Sequence, residues 1–259
     1  MRQVKQTLGQ GPVERLARKE GLIVAVAVLS ITLMAAWYTF AETGLSMTMN
    51  PEWTLNYAML NLAMWWAMMI AMMTPSAAPM LLLYTSVKRL GPDAGRVVML
   101  SLLFLLGYLM AWFGFSLIAT LAQWQVETLG LSMGAMMPIK SGLLSGAVLL
   151  CAGLYQLTGI KDACLSHCRS PGAFLVRHRR PGAVGALRLG VIHGGYCLGC
   201  CWALMALLFV GGIMNVYWIA GLALYVLAEK TMPKMQVISR LTGGFLIMAG
   251  VYIAVAALI

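Results

Sequence analysis

The sequence predicts an all-α fold, a polytopic transmembrane helix bundle of about seven spans with its N terminus in the cytoplasm. Three observations predict it. Of 259 residues, 61% are hydrophobic and 10% charged, with a mean hydropathy of +0.84, more apolar surface than a water-soluble core can hide. Apolar runs of about 20 residues, enough helix to cross a hydrocarbon layer of about 30 Å, recur along the chain, and the alternating short strands of an outer-membrane barrel do not appear. Of the 18 Lys and Arg residues, all but Lys140 fall in alternate polar segments, the asymmetry that sets orientation by the positive-inside rule.

Residues 1–20 read as a basic cytoplasmic tail carrying Arg2, Lys5, Arg15, Arg18 and Lys19, and residues 21–259 as one transmembrane helical domain. The first apolar run, 21–41, resembles a signal-peptide core in its position. It is longer than the usual 7 to 15 residues of such a core, and Trp37 and Tyr38 suit an interfacial belt, so it reads as an uncleaved span. The second span, 57–84, is expected to break at 75–79, because Pro75 and Pro79 remove backbone donors inside the apolar zone. The third covers 97–122 and the fourth, 141–157, contains Cys151. A basic cytoplasmic loop, 158–188, holds Cys164, His167 and Cys168. The fifth span is 189–211, a turn is expected at Gly211, Gly212 and Asn215, and the sixth span is 215–228. Those two spans also fit a single re-entrant hairpin. Glu229 is the exceptional carboxylate at the end of the sixth span, with Lys230 beside it to neutralise it. The last span is 241–259.

The chemistry concentrates at His193-Gly194-Gly195-Tyr196-Cys197-Leu198-Gly199-Cys200-Cys201. On a helix, His193, Cys197, Cys200 and Cys201 stand at i, i+4, i+7 and i+8, one stripe that Met205 extends by a turn. Thiolate, thioether and imidazole on one face suit a soft ion, Cu(I) first and Zn second. In the second span Asn61, Met64, Met68 and Met72 form another stripe, flanked by Met69 and Met73. The topology puts Cys151, Met68 and Met72 at a depth similar to the cysteines, so the expected metal set is Cys197, Cys200, Cys201, His193, Cys151, Met68, Met72 and Met205. Gly190-x-x-x-Gly194 and Gly195-x-x-x-Gly199 have the small-xxx-small spacing that admits a close neighbouring helix. Cys164, His167 and Cys168 share one helical turn near the inner end of the fifth span and are expected to take up the ion and transfer it inward. Thiols on that side stay reduced. His178, among Arg177, Arg179 and Arg180, reads as part of a basic patch facing phospholipid.

Several function classes drop out. The net charge of +10 sits in juxtamembrane segments with no aromatic-studded basic surface, so nucleic acid is not an expected partner. No nucleotide loop, Ser/His/Asp set or Cys-x-x-Cys-His haem site occurs, which favours a non-enzymatic role. The alternative to metal handling is a membrane thiol-disulfide protein in which Cys197 and Cys200 exchange electrons with Cys164 and Cys168. Haem or quinone binding through His193 lacks a second membrane histidine.

The combination of Met68-Met69, Met72-Met73-Thr74-Pro75, Tyr155-Gln156, Lys161, Cys164, Cys168-Arg169-Ser170-Pro171, the cysteine block, Met214-Asn215 and Glu229-Lys230 resembles a bacterial family described as predicted metal-binding integral membrane proteins, a domain of unknown function. The resemblance spans roughly residues 57–240. It implies a multi-pass protein of the bacterial inner membrane with a link to copper, the lipid bilayer as surroundings and a copper enzyme or copper chaperone as partner.

Overall fold

A computed structural model of the chain describes residues 12–44, 53–131, 139–178, 180–232 and 235–259. The described residues are almost entirely helical, with no β-strand among them. In chain order the helices are α1 (Pro12–Gly44), α2 (Leu55–Arg89), α3 (Val97–Thr128), α4 (Gly142–Gln156), α5 (Gly159–Arg169), α6 (Pro171–Arg177), α7 (Gly182–Ala206), the single turn α8 (Leu208–Gly211), α9 (Val216–Thr231) and α10 (Met235–Ala256). The starts follow side-chain chemistry. Thr54, Ser141, Thr158 and Asn215 each accept a backbone N–H from three residues on, satisfying a donor that the first turn leaves free.

Four stretches are long and apolar enough to cross a membrane: Leu55–Arg89, Ala94–Thr128, Gly182–Gly211 and Gln236–Ala256. A fifth arises if α4 and α5, bent by 63° at Leu157 and Thr158, count together. Among the described residues, four of the about seven expected spans meet this measure, or five with the bent pair. α4 has 15 residues and α9 has 16, about 22 to 24 Å of helix, short of a complete crossing. The apolar part of α1 that meets the same composition, Leu22–Tyr38, is also short.

The second span does not break where expected. Pro75 and Pro79 lie inside a continuous 35-residue α2. Pro75 and Pro79 leave the Ala71 and Pro75 carbonyls without their helical donors, yet the helix runs on; beside them Ser76 Oγ donates to the Met73 carbonyl at 2.8 Å and Tyr108 OH to the same oxygen at 3.0 Å.

α3 packs along α7, α4 along α10, and α1 and α3 both against α2. The α3–α7 contact is as close as its glycines allow. A methyl group at Gly190 would overlap the Phe104 carbonyl oxygen, and one at Gly194 would come within 2.6 Å of Ala111 Cβ. The predicted small-residue spacing thus works at its first pair. In the second pair Gly199 abuts the Cys164 sulfur, while Gly195 faces open space. The expected turn also forms: Gly212 has φ +94°, a conformation that favours glycine, and Asn215 caps α9.

At the end of α2 and α3 away from the basic residues, Trp65 Nε1 donates to Gln123 Oε1 at 2.7 Å, and Gln123 Nε2 donates to Asn61 Oδ1 at 3.0 Å. Asn61, at the top of the methionine stripe, is thereby a buried structural amide.

Candidate metal centre

α7 carries the cysteine block into the core. His193, Cys197, Cys200, Cys201 and Met205 are all buried, so the predicted stripe faces inward. Cys200 and Cys201 both turn their Sγ–H groups to one acceptor, the Cys197 carbonyl, at 3.0 and 2.9 Å. Cys197 differs from them. Its Sγ lies 2.9 Å from Lys230 Nζ and 3.1 Å from Tyr108 OH. The same ammonium donates to Ser76 Oγ at 3.0 Å, so Lys230 of α9 joins α2 and α7 through one cation.

Sulfur arrives from two further elements. Met73 Sδ of α2 is 3.9 Å from Cys201 Sγ. Cys168 of α5 packs on the same core, close enough to Cys197 and Cys200 to interact with them electrostatically, and Cys164, one turn earlier, abuts α7 at Gly199. The segment expected as a solvent-exposed loop is instead the helix pair α5 and α6, with Leu165 and Phe174 buried and both cysteines packed on the core. The reason is amphipathic spacing: Lys161, Leu165 and Cys168 share one face of α5. Tyr155 OH donates to the Gly199 carbonyl and ties α4 to the same place.

His193 is enclosed by Phe104, Tyr108 and Phe174 rings at 5.4 to 5.9 Å, and its Nδ1 is buried without a hydrogen-bond partner. Met68, Met72 and Met205 are buried in the same core. On α2 the thioether that touches a thiol is Met73, one residue round the helix from Met72. Cys151 departs from expectation: it lies on an exposed face of α4 and is outside the core cluster. Depth along the membrane normal is legible from span limits, but the direction a helix faces is not, and α4 turns Cys151 outward while Leu149 and Ala152 face in.

Glu229 also departs. Its partner is Lys161 of α5, not the adjacent Lys230, and both members of that ion pair are buried. Consecutive helical residues point about 100° apart, so Glu229 and Lys230 serve different neighbours. Lys161 Nζ also donates to Gln156 Oε1 and to Ser239 Oγ, and Arg169 donates to the Glu229 carbonyl at 2.6 and 2.9 Å. Spacing in the sequence pointed to none of Lys230, Tyr108 and Ser76. The signal that was there is the rarity of an ionisable side chain at the end of an apolar run.

A model of the PpoB2 family, described as copper chaperone, matches residues 62–253. The chain belongs to the PpoB2 copper chaperone family. No curated protein and no solved structure matches it. The matched range holds every residue of the centre described above, from Met73 to Lys230.

The family's description links the chain to copper handling. Among the described residues, no three His, Cys, Asp or Glu side chains are already set around a common point. The geometry gives the cause: Cys200 and Cys201 are turned to a carbonyl, and an ammonium occupies Cys197. The donor types fit a soft ion nonetheless, since thiols and a thioether converge where little else polar is present. Rotation of Cys200 or Cys201 away from the Cys197 carbonyl gives up only a weak S–H donor interaction.

Proposed function

We propose that the protein is a membrane-embedded carrier of Cu(I) that holds the ion between Cys197, Cys200 and Cys168 and passes it to a copper enzyme. Cys201 and Met73 stand by as exchange ligands. Membership of a copper chaperone family supports the cargo. The observation that carries the site is the packing of α5 on the cysteine-bearing face of α7, which puts Cys164 against Gly199 and Cys168 on the core that buries Cys197 and Cys200. Ligands drawn from separate helices can part when those helices shift, which a carrier needs and a permanent cofactor site does not.

Lys230 bears on the charge of the loaded site. Three thiolates and one Cu(I) leave a charge of −2 in an apolar interior, and the Lys230 ammonium at 2.9 Å offsets half of it, lowering the several kcal/mol that an uncompensated buried charge costs. Zn(II) takes four ligands in a closed tetrahedron, which a lysine at one thiol obstructs. The bacterial inner membrane is the setting proposed, with the four long apolar helices crossing it and their exposed Leu102, Leu106, Ile118, Leu241 and Phe245 facing lipid.

Copper content of the detergent-purified protein tests this reading. Wild type should carry about one Cu(I) per chain bound through sulfur, and Cys168→Ser, Cys197→Ser and Cys200→Ser should each lose most of it. Wild type without copper from copper-replete cells overturns it. Cys168 on the same core as both other thiols also suits disulfide exchange, and thiol trapping separates the two: a reversible disulfide under mild oxidant supports redox work, while copper-protected, reduced thiols support carriage.

A further inference from the structure

His167 ends α5 and His178 caps α6, and the two rings face each other with centroids 6.5 Å apart and planes at 60°. His178 thus turns toward its fellow histidine and toward Phe174, at 4.6 Å, and belongs to a structured cluster rather than an open basic patch. His167 stacks flat on Tyr196 of α7, 4.1 Å between ring centres and 3° between planes. Tyr196 immediately precedes Cys197.

Each ring is fixed in the same way. His167 Nδ1 is 2.9 Å from the Ala163 carbonyl and His178 Nδ1 is 3.2 Å from the Phe174 carbonyl. A carbonyl only accepts, so both Nδ1 atoms carry hydrogen, and in the uncharged ring the lone pair sits on Nε2. This is the outer support that metal-binding histidines use to fix their tautomer and orientation. Neither Nε2 has a hydrogen-bond partner among the described residues.

The separation selects a coordination number. A metal–nitrogen bond of about 2.0 Å, added to about 1.1 Å from nitrogen to ring centre, puts two collinear imidazoles about 6 Å apart and two tetrahedral ones about 5 Å apart. The observed 6.5 Å is a few tenths of an ångström beyond the collinear limit, so a small closure of the two rings brings them to two-coordinate spacing while tetrahedral spacing needs a larger one. We infer that His167 and His178 form a two-coordinate port for Cu(I), which loads the thiol centre through Cys168. The inference rests on the carrier reading above. Cys168 follows His167 in the chain, so an ion leaving two neutral nitrogens meets a thiol packed on the core that buries Cys197 and Cys200. Arg177 beside His178 weakens a cation there, which suits a site that must release.

The test uses the full chain in detergent with Cu(I) kept reduced by ascorbate. Combining Cys164→Ser, Cys168→Ser, Cys197→Ser, Cys200→Ser and Cys201→Ser removes every thiol around the centre. This variant should still bind one Cu(I), with X-ray absorption showing two nitrogens and no sulfur, and adding His178→Gln should weaken that binding at least about tenfold. In the protein with its cysteines intact, His167→Gln with His178→Gln should keep sulfur-bound copper at equilibrium and load roughly tenfold more slowly from a Cu(I) donor. No nitrogen-bound copper in the variant without these thiols, or loading unaffected by both histidine changes, overturns the port. Wild type that binds no copper at all overturns the carrier reading instead.

Discussion

Lys230 sets its ammonium 2.9 Å from the Cys197 sulfur, while Glu229, the preceding residue, turns to the buried Lys161. One helix end thus delivers a cation to the thiol centre and an anion to the helix that carries Cys168. The two neighbours tie α9 to both elements between which the cargo is proposed to sit.

Lys230→Met should lower Cu(I) affinity by about tenfold to a hundredfold, the loss of a charge-assisted contact of roughly 1.5–3 kcal/mol. Competition against a Cu(I)-specific chelator measures it, with sulfur ligation in the residual complex checked by X-ray absorption. Equal affinity in the variant would mean that the ammonium supports structure alone.

Lys161→Met should destabilise the protein by about 3–5 kcal/mol, because it strands the Glu229 carboxylate in an interior where Lys161 was its ionic partner. Lys161→Met with Glu229→Gln should recover a large part of the loss, since no buried charge is left over. Denaturant unfolding in detergent reads both. A double variant as unstable as the single one would contradict the pairing argument.

The all-helical class, the turn at Gly212 and the glycine contact at Gly190 are legible in the sequence, because hydropathy period and residue size determine them locally. The partners are not. Met73 rather than Met72 meets Cys201, a difference of one residue and about 100° that depends on how α2 is rotated. Cys151 lies on the exposed face of α4, which span limits alone do not indicate. The loop 158–188 looked polar because Lys161 and Arg169 were counted as solvated, whereas Lys161 is fully buried against Glu229 and Gln156. Pro75 and Pro79 do not break α2, which stays helical on both sides of them, because its packing against α1 and α3 is a property of the fold and not of the local sequence.

Gly190→Ala should abolish monodisperse protein or cost several kcal/mol of stability, since its new methyl group would overlap backbone on α3 that has no freedom to retreat. Gly195→Ala, five residues along the same helix with nothing within 4 Å of the added carbon, should be neutral or stabilising by up to about 1 kcal/mol. Yield after size exclusion and the melting midpoint compare the two. Equal behaviour would place α3 and α7 further apart than described.

Cys151→Ser and Cys168→Ser make the sharpest contrast for the site. The sequence gives both cysteines a claim, one by depth in the bundle and one by proximity to the fifth span. Cys151 lies on the exposed side of α4, so its replacement should leave copper content and affinity unchanged. Cys168 packs on the core that buries Cys197 and Cys200, so its replacement removes one of the soft ligands and should weaken binding by at least about tenfold. Parallel metal analysis and chelator competition on the two variants decide the matter. Loss of copper from Cys151→Ser with retention in Cys168→Ser would require α4 to rotate its face inward and α5 to leave α7, and the arrangement of thiols described here would not survive that result.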